Sequence, residues 1–195
     1  MKISSLLRPN PIYKKAAVEI IQNCKPFLGE IDNDIKRYKL YRGVEHKPSA
    51  PAVIRSARLT TREPRDTTNN IHDVFNEIFV ERFGAPFRNA IFVTGSRMAA
   101  LEYGELVTIY PIGEFKYLWS PEFRDLTRAL EIYHDPDFDL IDQVRNIINK
   151  GNYKTTDLKQ AIKSGNEIML WCEKYYVVSS KRVLTQINQI LKQNG

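Results

Sequence analysis

Residues 89–120 read NAIFVTGSRMAALEYGELVTIYPIGEFKYLWS. Three runs in this stretch, NAIFVTGS, ELVTIYPIG and EFKYLWS, are rich in β-branched and aromatic residues and are punctuated by glycine, the pattern of short strands. A small helical piece from Met98 to Tyr103 separates the first two, and Gly113–Glu114 reads as the corner of a hairpin. A sheet is therefore expected here, and the rest of the chain is read around it. Upstream, RYKLYRGV (37–44) alternates Tyr38, Leu40 and Arg42 against Lys39, Tyr41 and Gly43, with Arg42 near the strand's end. Val53 to Leu59 forms a second short strand. Downstream, EIMLWC and KYYVVSS supply two more.

The helical segments flank these strands. Pro11 to Cys24 places Ile12, Ala16, Ile20 and Cys24 on one face, and a turn follows around Gly29. Ile71, Val74, Phe75, Ile78, Phe79 and Phe83 recur at three and four, with Gly84 as the stop. His72, early in this helix, reads as a capping or core residue, with facing the site as the alternative. DPDFDLIDQVRNIINKG sets Phe138, Ile141, Val144, Ile147 and Ile148 on one face. Thr156 to Ser164 makes a short helix, and residues 181–193 a last amphipathic one. Strands interleaved with helices over 195 residues predict one α+β domain, with a core at about 37–180 between helices at 11–24 and 181–193.

Composition narrows the function classes. No apolar run is long enough to cross a bilayer and the first residues lack the apolar block of a secretory signal, so a cytoplasmic protein with no membrane partner is expected. Cys24 and Cys172 stand in no metal spacing and read as reduced core thiols. The three histidines, His46, His72 and His134, match no metal motif, so no metal is expected. Neither GxGxxG nor a P-loop occurs. The net charge of +6 favours anionic partners. Arg55, Arg58, Arg62 and Arg65 fall within eleven residues, and read either as a solvated loop or as a phosphate-contacting segment. Arg62 and Arg65 are the candidate contacts to an acceptor or to phosphate.

Three segments carry the chemistry: LYRG at 40–43, FVTGS at 92–96 followed by ALEYG, and GNEIML at 165–170. In this order and on expected strands they resemble the ADP-ribosyltransferase family, in particular its Arg/Ser/Glu class. The resemblance implies a split mixed β-sheet core with flanking helices, NAD as substrate, and transfer of ADP-ribose to a macromolecular acceptor with release of nicotinamide. It assigns Arg42 and Glu167 as catalytic, and Arg42, Gly43, Thr94, Ser96 and Tyr103 to NAD. Those residue types suit the task. An arginine fork holds phosphate or ribose oxygens without losing its charge. A carboxylate stabilises the oxocarbenium-like state formed when the nicotinamide–ribose bond parts.

Plain alternatives stand beside each assignment. Arg42 reads equally as a strand-end surface arginine and Glu167 as a solvated first strand residue. Thr94 and Ser96 read as turn formers around Gly95, and Tyr103 as a residue packed on the sheet. Glu173 is a rival carboxylate. Two departures from the family pattern are visible: Thr-Gly-Ser replaces the usual Ser-Thr-Ser, and Gly165 stands where arginine-modifying members carry a Glu. The resemblance implies a protein acceptor by default, with nucleic acid as the alternative. A non-catalytic basic binding module and an NAD-dependent RNA 2′-phosphotransferase are the other readings. Size and the lack of targeting signals would fit a phage or bacterial effector.

Overall fold

The computed structural model describes residues 11–60, 68–133, 137 and 139–193; Arg62, Arg65, His134 and Phe138 lie outside the described residues. In chain order the elements are α1 (Pro11–Asn23), α2 (Lys25–Glu30), β1 (Leu40–Val44), β2 (Ala52–Ser56), α3 (Asn69–Phe83), β3 (Ile91–Thr94), α4 (Arg97–Leu101), β4 (Glu105–Ile112) and β5 (Lys116–Trp119). There follow α5 (Leu126–Tyr133), α6 (Leu140–Lys150), α7 (Leu158–Ser164), β6 (Glu167–Trp171), β7 (Lys174–Val178) and α8 (Lys181–Gln193). The fold is α+β, one sheet flanked by helices. Among the described residues no helix is long and apolar enough to cross a membrane.

The seven strands run in the order β2-β7-β4-β1-β3-β6-β5. Every pairing is antiparallel, so the expected mixture of parallel and antiparallel pairs is absent. Of the two long helical connections between successive strands, the one through α3 joins β2 to β3, which do not pair, and the one through α5, α6 and α7 joins β5 to β6, which pair antiparallel. β1 and β4 match over five register pairs, but β1 and β3 meet at one only, Tyr41↔Thr94. The sheet is thus two blocks, β2-β7-β4-β1 and β3-β6-β5, hinged on a single pair.

Chain reach shows that the blocks fold over one another. In a flat sheet β6 and β7 would lie four strand spacings apart, about 19 Å. The three steps from Trp171 to Lys174 span at most about 11 Å. The same comparison holds for β4 and β5, where four steps reach about 14 Å. The links at 113–115 and 172–173 therefore cross between blocks, and Glu114 sits in a crossing rather than in the expected hairpin. The blocks share a core: Val93, Trp119 and Ile168 from one cluster with Leu40, Ile109 and Val177 from the other. A second cluster, built on Phe79, Leu118 and Met169, fills the space between the β3-β6-β5 block and helices α3, α5 and α6.

Local chemistry accounts for most boundaries. Thr68 caps α3 by accepting from the Ile71 N–H at 3.4 Å, and Gly84 ends it at φ 73°. Asp139 caps α6 through Ile141 and Asp142. Differences from expectation arise where tertiary burial decides. The strand expected from residue 37 begins at Leu40, and the turn expected around Gly29 is α2, which buries Phe27 and Leu28. Ile12 and Ile141, expected on buried faces, are 61% and 46% exposed, because α1 turns Ala17 and Ile20 inward and α6 buries Gln143 instead.

Cys24 and Cys172 are fully buried, and burial pushes both thiols up to about 12; for Cys24 the neighbouring Cys172 adds to the effect. The reactive species is the thiolate. At pH 8 neither thiol is expected to react with a thiol reagent in the native protein, and both are expected to react after denaturation. Rapid native modification would contradict this placement.

Candidate functional site

Past Tyr41↔Thr94, β1 and β3 part, and a cleft of about 920 Å³ opens through the gap. Arg42 and Gly43 line it from β1, Thr94 from β3 and Glu167 from the first position of β6. Thr94 and Glu167 are direct register partners. Neighbouring strands thus bring the Arg, the hydroxyl and the carboxylate together, although 125 positions separate Arg42 from Glu167 (167 − 42).

The segment before Glu167 is tightly held. Gly165 ends α7 in the left-handed conformation at φ 74°. Its carbonyl accepts from Thr94 Oγ1 at 2.6 Å, and Thr94 Oγ1 in turn accepts from the Ser96 N–H at 3.0 Å. The Glu167 N–H donates to the Arg124 carbonyl at 2.7 Å. Thr94 therefore lines the cleft while its hydroxyl ties β3 to the entry of β6. Ser96 is not part of the cleft lining; it caps α4, accepting from the Ala99 N–H at 3.2 Å. Ser96→Ala is expected to lower folding stability by about 1 kcal/mol, the usual cost of a lost cap. Denaturant unfolding reads this directly, and unchanged stability would leave the capping role unsupported.

Gly43 and Gly95 have packing reasons of their own. A Cβ on Gly43 would stand 2.2 Å from the Ala100 carbonyl oxygen, so the missing side chain makes room for α4. A Cβ on Gly95 would stand 1.7 Å from the Ile162 carbonyl oxygen on α7. Tyr103, expected to stack on a ligand or pack on the sheet, lines the rim with 69% of its surface exposed.

Arg42 is half-buried, and its Nη1 donates to the Phe92 carbonyl at 3.5 Å. Among the described residues no carboxylate lies within salt-bridge distance of it. Burial draws its pKa down; Tyr175 opposes this and the like charge of Arg55 adds to it. An arginine still keeps its proton under such pressure. An anion entering beside Arg42 and Arg55 would relieve both the desolvation and the repulsion.

The floor carries Arg88, which the sequence reading did not single out, and His72, which it read first as a capping or core residue. Arg88 is buried, with its guanidinium over the Phe92 ring at 5.3 Å. His72 is 4% exposed and also lines the cleft. Asn76 Oδ1 accepts from the Arg88 N–H at 2.9 Å, and Asn89 Nδ2 donates to the Leu59 carbonyl at 2.7 Å, which fixes both amides. Asn76 Nδ2 then lies 3.1 Å from His72 Nε2 and 3.2 Å from Asn89 Oδ1. With Asn89 Oδ1 only 2.9 Å from Nε2, that nitrogen carries a proton. At the mouth, Arg124 pairs with Glu102 at 2.8 Å, and Asp125 and Arg55 also line the wall. The one hint of Arg88 in the sequence is an arginine set among apolar residues in APFRNAIF. Of the two described arginines of the segment read as a loop, Arg55 stands on β2 opposite Tyr175 and lines the cleft, whereas Arg58 is exposed and outside the lining.

No family model, curated protein or solved structure matches this chain.

Proposed function

We propose that the cleft binds NAD and that the protein transfers ADP-ribose to a macromolecular acceptor, releasing nicotinamide. The observation that carries this reading is the register Tyr41↔Thr94↔Glu167, by which Arg42 and Glu167 line one cleft where the sheet divides. In the reaction, the bond between ribose C1′ and nicotinamide nitrogen breaks and nicotinamide leaves with the electron pair. The acceptor's nucleophile then bonds C1′ and gives up its proton. Glu167 faces the positive charge that develops on the ribose and is placed to take that proton. Arg42, aided by Arg55, holds the pyrophosphate. Gly43 lies on the stretch of β1 that has no β3 partner and offers main-chain groups to the carboxamide. This is the ADP-ribosyltransferase chemistry that the order of LYRG, FVTGS and GNEIML implies, and the split of the sheet agrees with it.

A ligand that binds only the folded state raises its stability, by about 2.7 kcal/mol at a hundred times its Kd. NAD is expected to raise the melting temperature of the wild type, and Arg42→Ala to remove most of that rise. No shift at millimolar NAD, with steeply salt-dependent nucleic-acid binding through Arg55 and Arg58, would instead mark a basic binding module.

A further inference from the structure

Eight large apolar side chains are exposed among the described residues, and three of them fall within six positions: Met98 at 72%, Leu101 at 46% and Tyr103 at 69%. The other five stand singly, each on a different element, which is ordinary surface chemistry. The cluster sits on α4 and the turn after it, and the opposite side of that segment is pressed onto β1. A Cβ on Gly43 would meet the Ala100 carbonyl oxygen at 2.2 Å, and one on Gly104, at φ 126°, would meet the Val44 carbonyl oxygen at 2.5 Å. Backbone rests on backbone at both points, so the apolar side chains project from a fixed support. A surface ordered in advance loses little entropy on docking.

The patch adjoins the cleft: Tyr103 at one end of it lines the cleft with Glu102, and Met98 and Leu101 do not. The carboxylates that flank it in the chain, Glu102 and Glu105, both stand beside cations, Glu105 beside Lys47 at 3.9 Å. Arg97 is exposed and near enough to Lys39 for the two charges to repel, while Glu102 is neutralised by Arg124. Methionine, aromatic residues and arginine are the types enriched where proteins meet. Surfaces for single-stranded nucleic acid rely chiefly on stacking rings and cations, and here two of the three exposed apolar residues, Met98 and Leu101, are aliphatic side chains without a ring.

We propose that Met98 and Leu101, flanked by Arg97, dock an acidic protein surface, and that this protein is the acceptor of the ADP-ribose. The acceptor role rests on the NAD reading; the docking surface does not.

Met98→Glu and Leu101→Glu, singly and together, put like charge where the acidic partner would sit. Both side chains are exposed, and circular dichroism checks that the fold persists. Nicotinamide release from NAD without acceptor is expected to be unchanged. Protease-sensitive labelling of lysate proteins is expected to fall about tenfold or more, the loss seen when a central interface anchor goes. Labelling at the wild-type level overturns the proposal, as does label removed by nuclease rather than protease. If the wild type releases no nicotinamide, the NAD reading fails and the docking surface is decided separately, with a photo-crosslinking residue in place of Met98. The expected crosslink is to protein, weakened by salt and lost in Leu101→Glu. No crosslink, a crosslink to nucleic acid, or one indifferent to Leu101→Glu overturns the docking surface.

Discussion

Glu167→Gln is expected to lower nicotinamide release from NAD by about 10²–10³-fold, the scale on which loss of one preorganised electrostatic group acts in a water-poor site. The substitution keeps the shape of the side chain and removes the charge. NAD is then held as before through Arg42, and the effect falls on kcat rather than on KM. The rival carboxylate Glu173 stands in the link after β6, at the far end of the strand from Glu167. Glu173→Gln is therefore expected to retain full activity. Steady-state kinetics on the two variants separate the assignments: Glu167→Gln within about threefold of wild type would remove Glu167 from the chemistry.

Gly95→Ala has the largest expected effect on the fold. Gly95 takes no left-handed conformation, so the reason for a glycine is space alone. A Cβ there would lie 1.7 Å from the oxygen, 2.6 Å from the carbon and 2.9 Å from the Cα of Ile162. These are main-chain atoms of α7, a helix anchored by buried Leu158, Ala161 and Ile162, and no side-chain rotation relieves the overlap. Overpacking of this kind costs about 3 kcal/mol or more. For a domain of this size that is roughly 6–12 °C in Tm. The displacement also opens the Thr94–Gly165 hydrogen bond that leads into Glu167, so NAD cleavage is expected to fall with stability. Thermal melting decides it; a variant that melts within about 2 °C of wild type would show that α7 does not pack against β3 in this way.

The sequence makes local structure legible and long-range pairing much less so. α3 is readable because its apolar spacing, its Thr68 cap and its Gly84 stop all lie within 17 residues (68–84). α5 carried a comparable signal in Leu126, Ala129, Leu130 and Tyr133, which the reading above passed over. α2 carried little: KPFLGE is six residues with a proline and a glycine, and becomes helical because Phe27 and Leu28 are buried by distant strands. The division of the sheet is not written in any one segment. It follows from which strands pair, and shows in the sequence only as two links too short to cross a flat sheet.

The same distinction applies to the site. Arg42 and Glu167 were legible from residue type and order, and the strands bring them to one cleft. Gly43 and Gly95 were noticed for their neighbours in sequence, whereas their space is set by Ala100 and Ile162, contacts that no local pattern records. Arg88 was missed because an arginine in a short connection is expected at the surface; here it lies under the cleft, stacked on Phe92. Ser96 and Thr94 looked like ligand groups, and their hydroxyls serve the scaffold.

The most direct measurement is a crystal structure of the chain soaked with NAD. The expected result is the nicotinamide riboside in the gap between β1 and β3, its ribose hydroxyls facing Glu167 and its pyrophosphate on Arg42. NAD bound away from that gap, or no NAD bound at millimolar concentration, would contradict the placement of one substrate between Arg42 and Glu167.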